Sequence, residues 1–199
     1  MEAQNKASIG GVEGRNGREK EVGVANRRAV RWSEKVLRVL ALVLTLVAAV
    51  VVGVDKQTKV VPVTLGPSLP TVNVAATAKW HYMSAFVYFV VANAIASSYA
   101  GISLILTLAN RSGKKGLSML IIILDLVMIG LLFSGNGAAT AVGVLGYEGN
   151  SHVQWNKVCN MFGKFCQQIS AAIILSLLAS VVFLLLVGMA AFNLHKKSK

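Results

Sequence analysis

Cysteine occurs twice in 199 residues and proline three times, aromatic residues make up 7% of the chain, and charged residues make up only 14%. Two cysteines exclude a disulfide scaffold, which needs a dense framework of bridges in place of a core. The shortage of charge excludes disorder over the bulk of the chain, because disorder goes with low hydrophobicity and high charge. The 18 glycines follow no three-residue period, which excludes collagen. A soluble domain carries about 25% charged residues, so this chain would leave much apolar surface uncovered in water. Hydrocarbon is what the sequence has in plenty: 55% of residues are hydrophobic and the mean hydropathy is +0.63. The composition is that of an integral membrane protein.

Four apolar runs, Val36 to Val54, Ala85 to Ala109, Leu117 to Leu145 and Ile169 to Phe192, have lengths of 19, 25, 29 and 24 residues. Each reaches the roughly 20 residues needed to cross ~30 Å of hydrocarbon. The expected fold is therefore all-α, a bundle of four transmembrane helices at about 36–54, 85–109, 117–145 and 169–192. Residues 1–35 are expected to form a disordered basic tail and 193–199 a second basic tail. The first run begins too far from the N-terminus and is too long for the apolar core of a cleaved signal peptide, so it reads as an uncleaved anchor. Little sequence is left outside the bilayer for a separate catalytic domain.

The net charge of +12 raises nucleic acid as a partner until the 20 basic residues are placed. They gather at the ends of the runs. The N-terminal tail holds 8, the loop from Asn110 to Gly116 holds Arg111, Lys114 and Lys115, and the C-terminal tail holds Lys196, Lys197 and Lys199. The loops 55–84 and 146–168 hold 5, and Arg38 lies inside the first run. Basic residues collect on the cytoplasmic side, so both termini are expected there and the two longer loops outside. Anionic lipid, and not nucleic acid, is then the polyanion these residues meet. The first outer loop contains all three prolines, an extended patch at Val60 to Val63 and a turn at Pro67 to Pro70.

Inside the runs only two residues are ionisable, Arg38 and Asp125. An acid in a span is costly, so a partner or a function is the default reading. Both lie in the cytoplasmic half, and an intramembrane ion pair between the first and third helices is expected. The other reading has Arg38 reaching out to lipid phosphate and Asp125 protonated or hydrogen-bonded to Ser or Asn. Small residues recur at a spacing of four: Ala92, Ala96 and Ala100 in the second run, Gly135, Ala139 and Gly143 in the third, Ala172, Ser176 and Ser180 in the fourth. Such stripes let backbones approach closely, within one bundle or between copies, and intramolecular packing is the expected use. The segment Ser134-Gly135-Asn136-Gly137 is expected to kink or unwind the third helix.

Cys159 and Cys166 fall in the second outer loop, where a disulfide is allowed. On one regular helix their Cα atoms would stand ~10.5 Å apart, too far for a bridge. Pairing therefore demands a turn between them, with Gly163 placed to supply it; the alternative is two free thiols. His81, His152 and His195 show no metal-ligand spacing with these cysteines, and no metal or other cofactor is expected. Cys-x-x-Cys, His-Glu-x-x-His, Gly-x-Ser-x-Gly and phosphate-binding glycine loops are missing, so no catalytic residue is nominated. Trp80, Tyr82 and Trp155 stand near the outer ends of runs as interfacial anchors.

Several segments then carry a resemblance: Val39-Leu-Ala-Leu-Val-Leu-Thr45, Lys56-Gln-Thr-Lys-Val-Val-Pro62, Phe133-Ser-Gly-Asn-Gly-Ala-Ala139, His152-Val-Gln-Trp155 with Val158-Cys, and Phe162-Gly-Lys-Phe-Cys166. Together they resemble the plant Casparian-strip-membrane-protein-like (CASP-like) family, related to the MARVEL four-helix proteins, over roughly residues 33 to 192. The resemblance marks Arg38 and Asp125 as the hallmark charges of the first and third helices. It also marks Cys159 and Cys166, with His152, Trp155, Phe162 and Phe165, in the second outer loop. It implies multi-pass residence in the plasma membrane, homo- and hetero-oligomers with related members, and a scaffold role. For the founding members it implies recruitment of wall-modifying enzymes, but their first-loop signature is missing from this chain. The function expected is a non-enzymatic, self-associating scaffold that organises a membrane subdomain or partner proteins. The competing function is a small-solute or ion transporter that uses Asp125, Asn93 and the 134–137 segment as a polar path.

Overall fold

A computed structural model describes residues 28–30, 32–63, 72–109, 115–149, 152 and 157–198. Four long helices dominate: α1 (Arg28–Gly53), α2 (Ser84–Ala109), α3 (Lys115–Glu148) and, after the single turn of α4 (Val158–Met161), α5 (Gly163–Ser198). All four are long and apolar enough to cross a membrane. The shortest have 26 residues, or ~39 Å at 1.5 Å per residue, which exceeds the hydrocarbon thickness and allows tilt. The molecule is an all-α, four-helix membrane bundle.

The helices outrun the apolar segments that announced them. α1 starts at Arg28, so the described residues between 28 and 35 belong to it and not to a disordered tail. α5 starts at Gly163 instead of Ile169 and continues through Ser198 instead of stopping at Phe192. Hydropathy marks the portion of a helix suited to hydrocarbon, whereas backbone hydrogen bonding continues through Lys, Arg and Gln, which are good helix formers. Residues 1–27 lie outside the described residues.

α3 stays helical through Ser134-Gly135-Asn136-Gly137, so the unwound turn that was one of the two expectations there does not occur. The segment packs closely on α2. Gly135 is buried against α2, and a Cβ added to it would stand 3.3 Å from the Ala92 Cβ. The Tyr88 hydroxyl donates to Ser134 Oγ at 3.3 Å, a second tie to α2 at the same level.

Between α1 and α2 the chain forms an antiparallel hairpin, β1 (Lys56–Val63) with β2 (Val72–Lys79). The register pairs Lys56 with Lys79 and Thr58 with Thr77, whose hydroxyls hydrogen-bond at 3.1 Å. The expected extended patch covered only Val60 to Val63; β1 extends it back to Lys56, and the β-branched residues Val72, Val74 and Thr77 fall in the second strand. The expected turn at Pro67 to Pro70 lies outside the described residues. A 3₁₀ turn, Trp80–Tyr82, then leads into α2.

The core divides into two apolar clusters. One, at the hairpin end, gathers Ala48, Val52, Phe86, Phe89, Ala139, Phe162, Phe165, Ile169 and Ala172. The other, towards the opposite end, gathers Ala41, Ala96, Ala100, Met128, Leu132, Val182, Phe183 and Leu186.

Candidate functional site

Arg38 of α1 is 2% exposed although it carries a full charge inside a spanning helix. Its guanidinium faces the Asp125 carboxylate of α3, with Nη2 3.3 Å from Oδ2 and Nη1 3.5 Å from Oδ1. This side-by-side arrangement uses the planar fork of arginine, which matches the two oxygens of a carboxylate. Arg38 Nη1 also donates to Ser103 Oγ of α2 at 2.8 Å, and Nη2 lies 3.7 Å from Glu34 Oε1 one turn earlier in α1.

Asp125 has a second donor. The Tyr99 hydroxyl of α2 donates to Asp125 Oδ1 at 2.7 Å, with the Ile121 carbonyl oxygen 3.1 Å away as a second acceptor. The Tyr99 ring lies 6.3 Å from the Phe183 ring of α5, tilted by 31°. One charge pair thus gathers all four spanning helices: α1 through Arg38, α2 through Tyr99 and Ser103, α3 through Asp125, and α5 through Phe183. Isolated charges would be expelled from such an interior; paired and hydrogen-bonded, they are retained.

At the hairpin end a disulfide joins Cys159 of α4 to Cys166, with the Cα atoms 5.6 Å apart. Cys166 lies in the first turn of α5 and not in a loop. The break that permits the bridge is at Phe162 (φ −115°, ψ 54°), and Gly163 is simply the first residue of α5. The hairpin is fastened to the same place, since Gln57 Oε1 of β1 accepts the Phe165 backbone N–H at 3.0 Å. That N–H is among the first of α5, which have no partner within the helix, so Gln57 caps it from 108 residues away.

The profile of the Casparian strip membrane protein domain matches residues 27–182, which include both charges and both cysteines. The chain belongs to this family. It is 55% identical to "CASP-like protein 1E1" of Populus trichocarpa across the full length of both chains. It is 57% identical to "CASP-like protein 1E2" of Vitis vinifera, over 99% of this chain and 100% of that one. With "CASP-like protein 1E1" of Arabidopsis thaliana it shares 50% identity over 98% of this chain and 100% of the relative. No solved structure matches it.

The other nominated residues of this Casparian strip family member divide between core and surface. Phe162 and Phe165, expected on an outer loop, are buried in the core cluster, and the Phe165 ring packs edge-on against Phe86 at 6.1 Å. Phe162 ends α4 and Phe165 lies in the first turn of α5, so both reach the core from a helical joint and not from a loop. His152 is exposed, and Trp155 lies outside the described residues. Ala92, Ala96, Ala100, Ala139, Ala172, Ser176 and Ser180 are all buried within the bundle, as is Gly135. Gly143 differs: it is half-buried and lines an open crevice of about 620 Å³ between α3 and α5, which Cys159 and Cys166 also line.

Tyr99, Ser103, Glu34 and Gln57 were not nominated from the sequence. A tyrosine or serine in an apolar run carries no sign of its partner, and Gln57 reaches its partner only through the hairpin.

Proposed function

We propose that this protein is a non-enzymatic scaffold of the plasma membrane that self-associates and organises a membrane subdomain or partner proteins. The observation that supports this most is the use made of Arg38 and Asp125. Their charges are directed at each other and at Tyr99 and Ser103, so they act as a clamp between helices and not as a reactive group. A bundle closed by such a clamp offers neighbours its outward faces, which carry large exposed apolar residues such as Leu46, Ile95, Leu126 and Leu185. In this reading both termini and residues 110–116 face the cytoplasm, where their basic side chains meet anionic lipid. Further copies, related family members and, through the outer face, wall-modifying enzymes are the proposed partners. Two apolar clusters, one on each side of the bundle's middle, argue against a conducting path through a single subunit.

Two measurements test the reading. Cross-linking with mass spectrometry in native membranes should yield links between copies of the chain; links confined to single chains would overturn self-association. A membrane-impermeant thiol reagent should label Thr71→Cys in intact cells and leave Ser112→Cys unlabelled, and the reverse pattern would overturn the topology.

A further inference from the structure

The two apolar clusters leave one level of the bundle between them. It falls between Ala41 and Ala48 in α1, Phe89 and Ala96 in α2, Leu132 and Ala139 in α3, and Ala172 and Val182 in α5. At this level every spanning helix buries a polar residue: Thr45, Asn93, Asn136 and Ser176, with exposures of 0, 1, 3 and 0%. Helix arithmetic places the two asparagines at nearly the same height in the bundle. Starting from the contact of Ser103 and Asp125 with Arg38, Asn93 is ~15 Å along α2 and Asn136 ~16 Å along α3, both towards the hairpin end.

The hydrogen-bonding capacity of this layer is only partly spent. Thr45 donates to the Ala41 carbonyl oxygen of its own helix at 2.8 Å, and the Asn93 amide donates to the Phe89 carbonyl oxygen at 2.9 Å. Among the described residues, Asn93 Oδ1, both polar atoms of the Asn136 amide and Ser176 Oγ have no hydrogen-bond partner. Three helices therefore present four polar atoms to an interior where an unpaired amide or hydroxyl is costly. The guest that answers them must both donate and accept. It must also be neutral, since the buried charges Arg38, Asp55 and Asp125 belong to other levels. Apolar clusters close the layer on both sides, so the guest must be small.

We propose that Asn93, Asn136 and Ser176 form an internal hydration site that holds water bridging α2, α3 and α5. A buried water makes ~3 hydrogen bonds, so four unspent atoms call for about one or two molecules. The water is trapped structural water and not part of a path across the membrane. Its effect is to fix the heights of three helices relative to one another, since sliding any of them by a turn, ~5.4 Å, moves its polar group out of reach.

The test is water-edited solid-state NMR on the unaltered full-length protein, uniformly ¹⁵N-labelled, in lipid bilayers, with a membrane-impermeant paramagnetic agent added in a second experiment. The Asn136 side-chain amide, assigned by its loss in Asn136→Ser, should gain magnetisation from water well before the flanking backbone amides of Leu132 and Ala139. The paramagnetic agent should leave that transfer intact. Transfer no faster than at Leu132 and Ala139 would mean a dry layer and would overturn the proposal. Quenching by the agent as strong as at the exposed Tyr147 would mean an open channel and would overturn it equally. The transfer rates that decide the outcome are read on the unaltered protein, and Asn136→Ser serves only to assign the amide.

Discussion

Arg38 meets Asp125, Ser103 and Glu34 at once, so the consequences of losing each contact differ. Tyr99→Phe keeps the ring against Phe183 and deletes only the hydroxyl that donates to Asp125 at 2.7 Å. Hydrogen bonds to charged groups are worth ~1.5 to 3 kcal/mol, so Tyr99→Phe should lower the thermal midpoint in nanodiscs. Tyr99→Leu, which also loses the ring contact, should lower it further. An unchanged midpoint in Tyr99→Phe would show that the hydroxyl contributes nothing. The two charges were legible in the sequence because an acid and a base stand out in apolar runs. Tyr99 and Ser103 were not, because their types are ordinary in a span and only the crossing of α2 over α1 and α3 gives them partners.

Among the elements, the junction of α1 with β1 is sensitive to pH. Asp55 is buried there, and desolvation pushes its carboxyl up from 3.8 to about 6. The folded state thus holds this proton more tightly than the unfolded state. Its contribution favours folding below about pH 4 and is lost as pH rises through about 6. Thermal midpoints should fall across that window, and Asp55→Asn should flatten the fall; an identical profile in both proteins would contradict this. Helix packing gives a second contrast. Gly135→Val drives branches into Ala92, whose Cβ would be 3.3 Å from even a bare Cβ, and should fail to assemble properly. Gly143→Ala meets nothing within 4 Å and relieves a glycine inside a helix, a gain of up to ~1 kcal/mol. Melting curves of the two variants should therefore move in opposite directions. The stripes of small residues were plain in the sequence, but their common spacing hid this difference. The start of α5 was hidden as well: Lys164, Gln167 and Gln168 break the apolar run, so Phe162, Phe165 and Cys166 read as loop.

For the whole molecule, four apolar runs sufficed to announce a four-helix membrane bundle, since length and hydropathy alone meet the demands of the bilayer. How the helices are tied together did not follow from the runs, because ties such as Gln57 to Phe165 depend on the fold already being made. In the proposed reading the buried pair of Arg38 and Asp125 holds the bundle in the form that assembles. Breaking a buried pair by removing one partner strands the other and costs ~3 to 5 kcal/mol, whereas removing both leaves no orphan charge. The direct measurement is subunit counting by single-molecule photobleaching of tagged protein in native membranes. The unaltered protein should give multi-copy assemblies. Arg38→Leu and Asp125→Asn should each reduce them, and the double variant, or Arg38→Asp combined with Asp125→Arg, should regain part of the loss. Additive losses in the combined variants, or full assembly by Asp125→Asn alone, would contradict the claim.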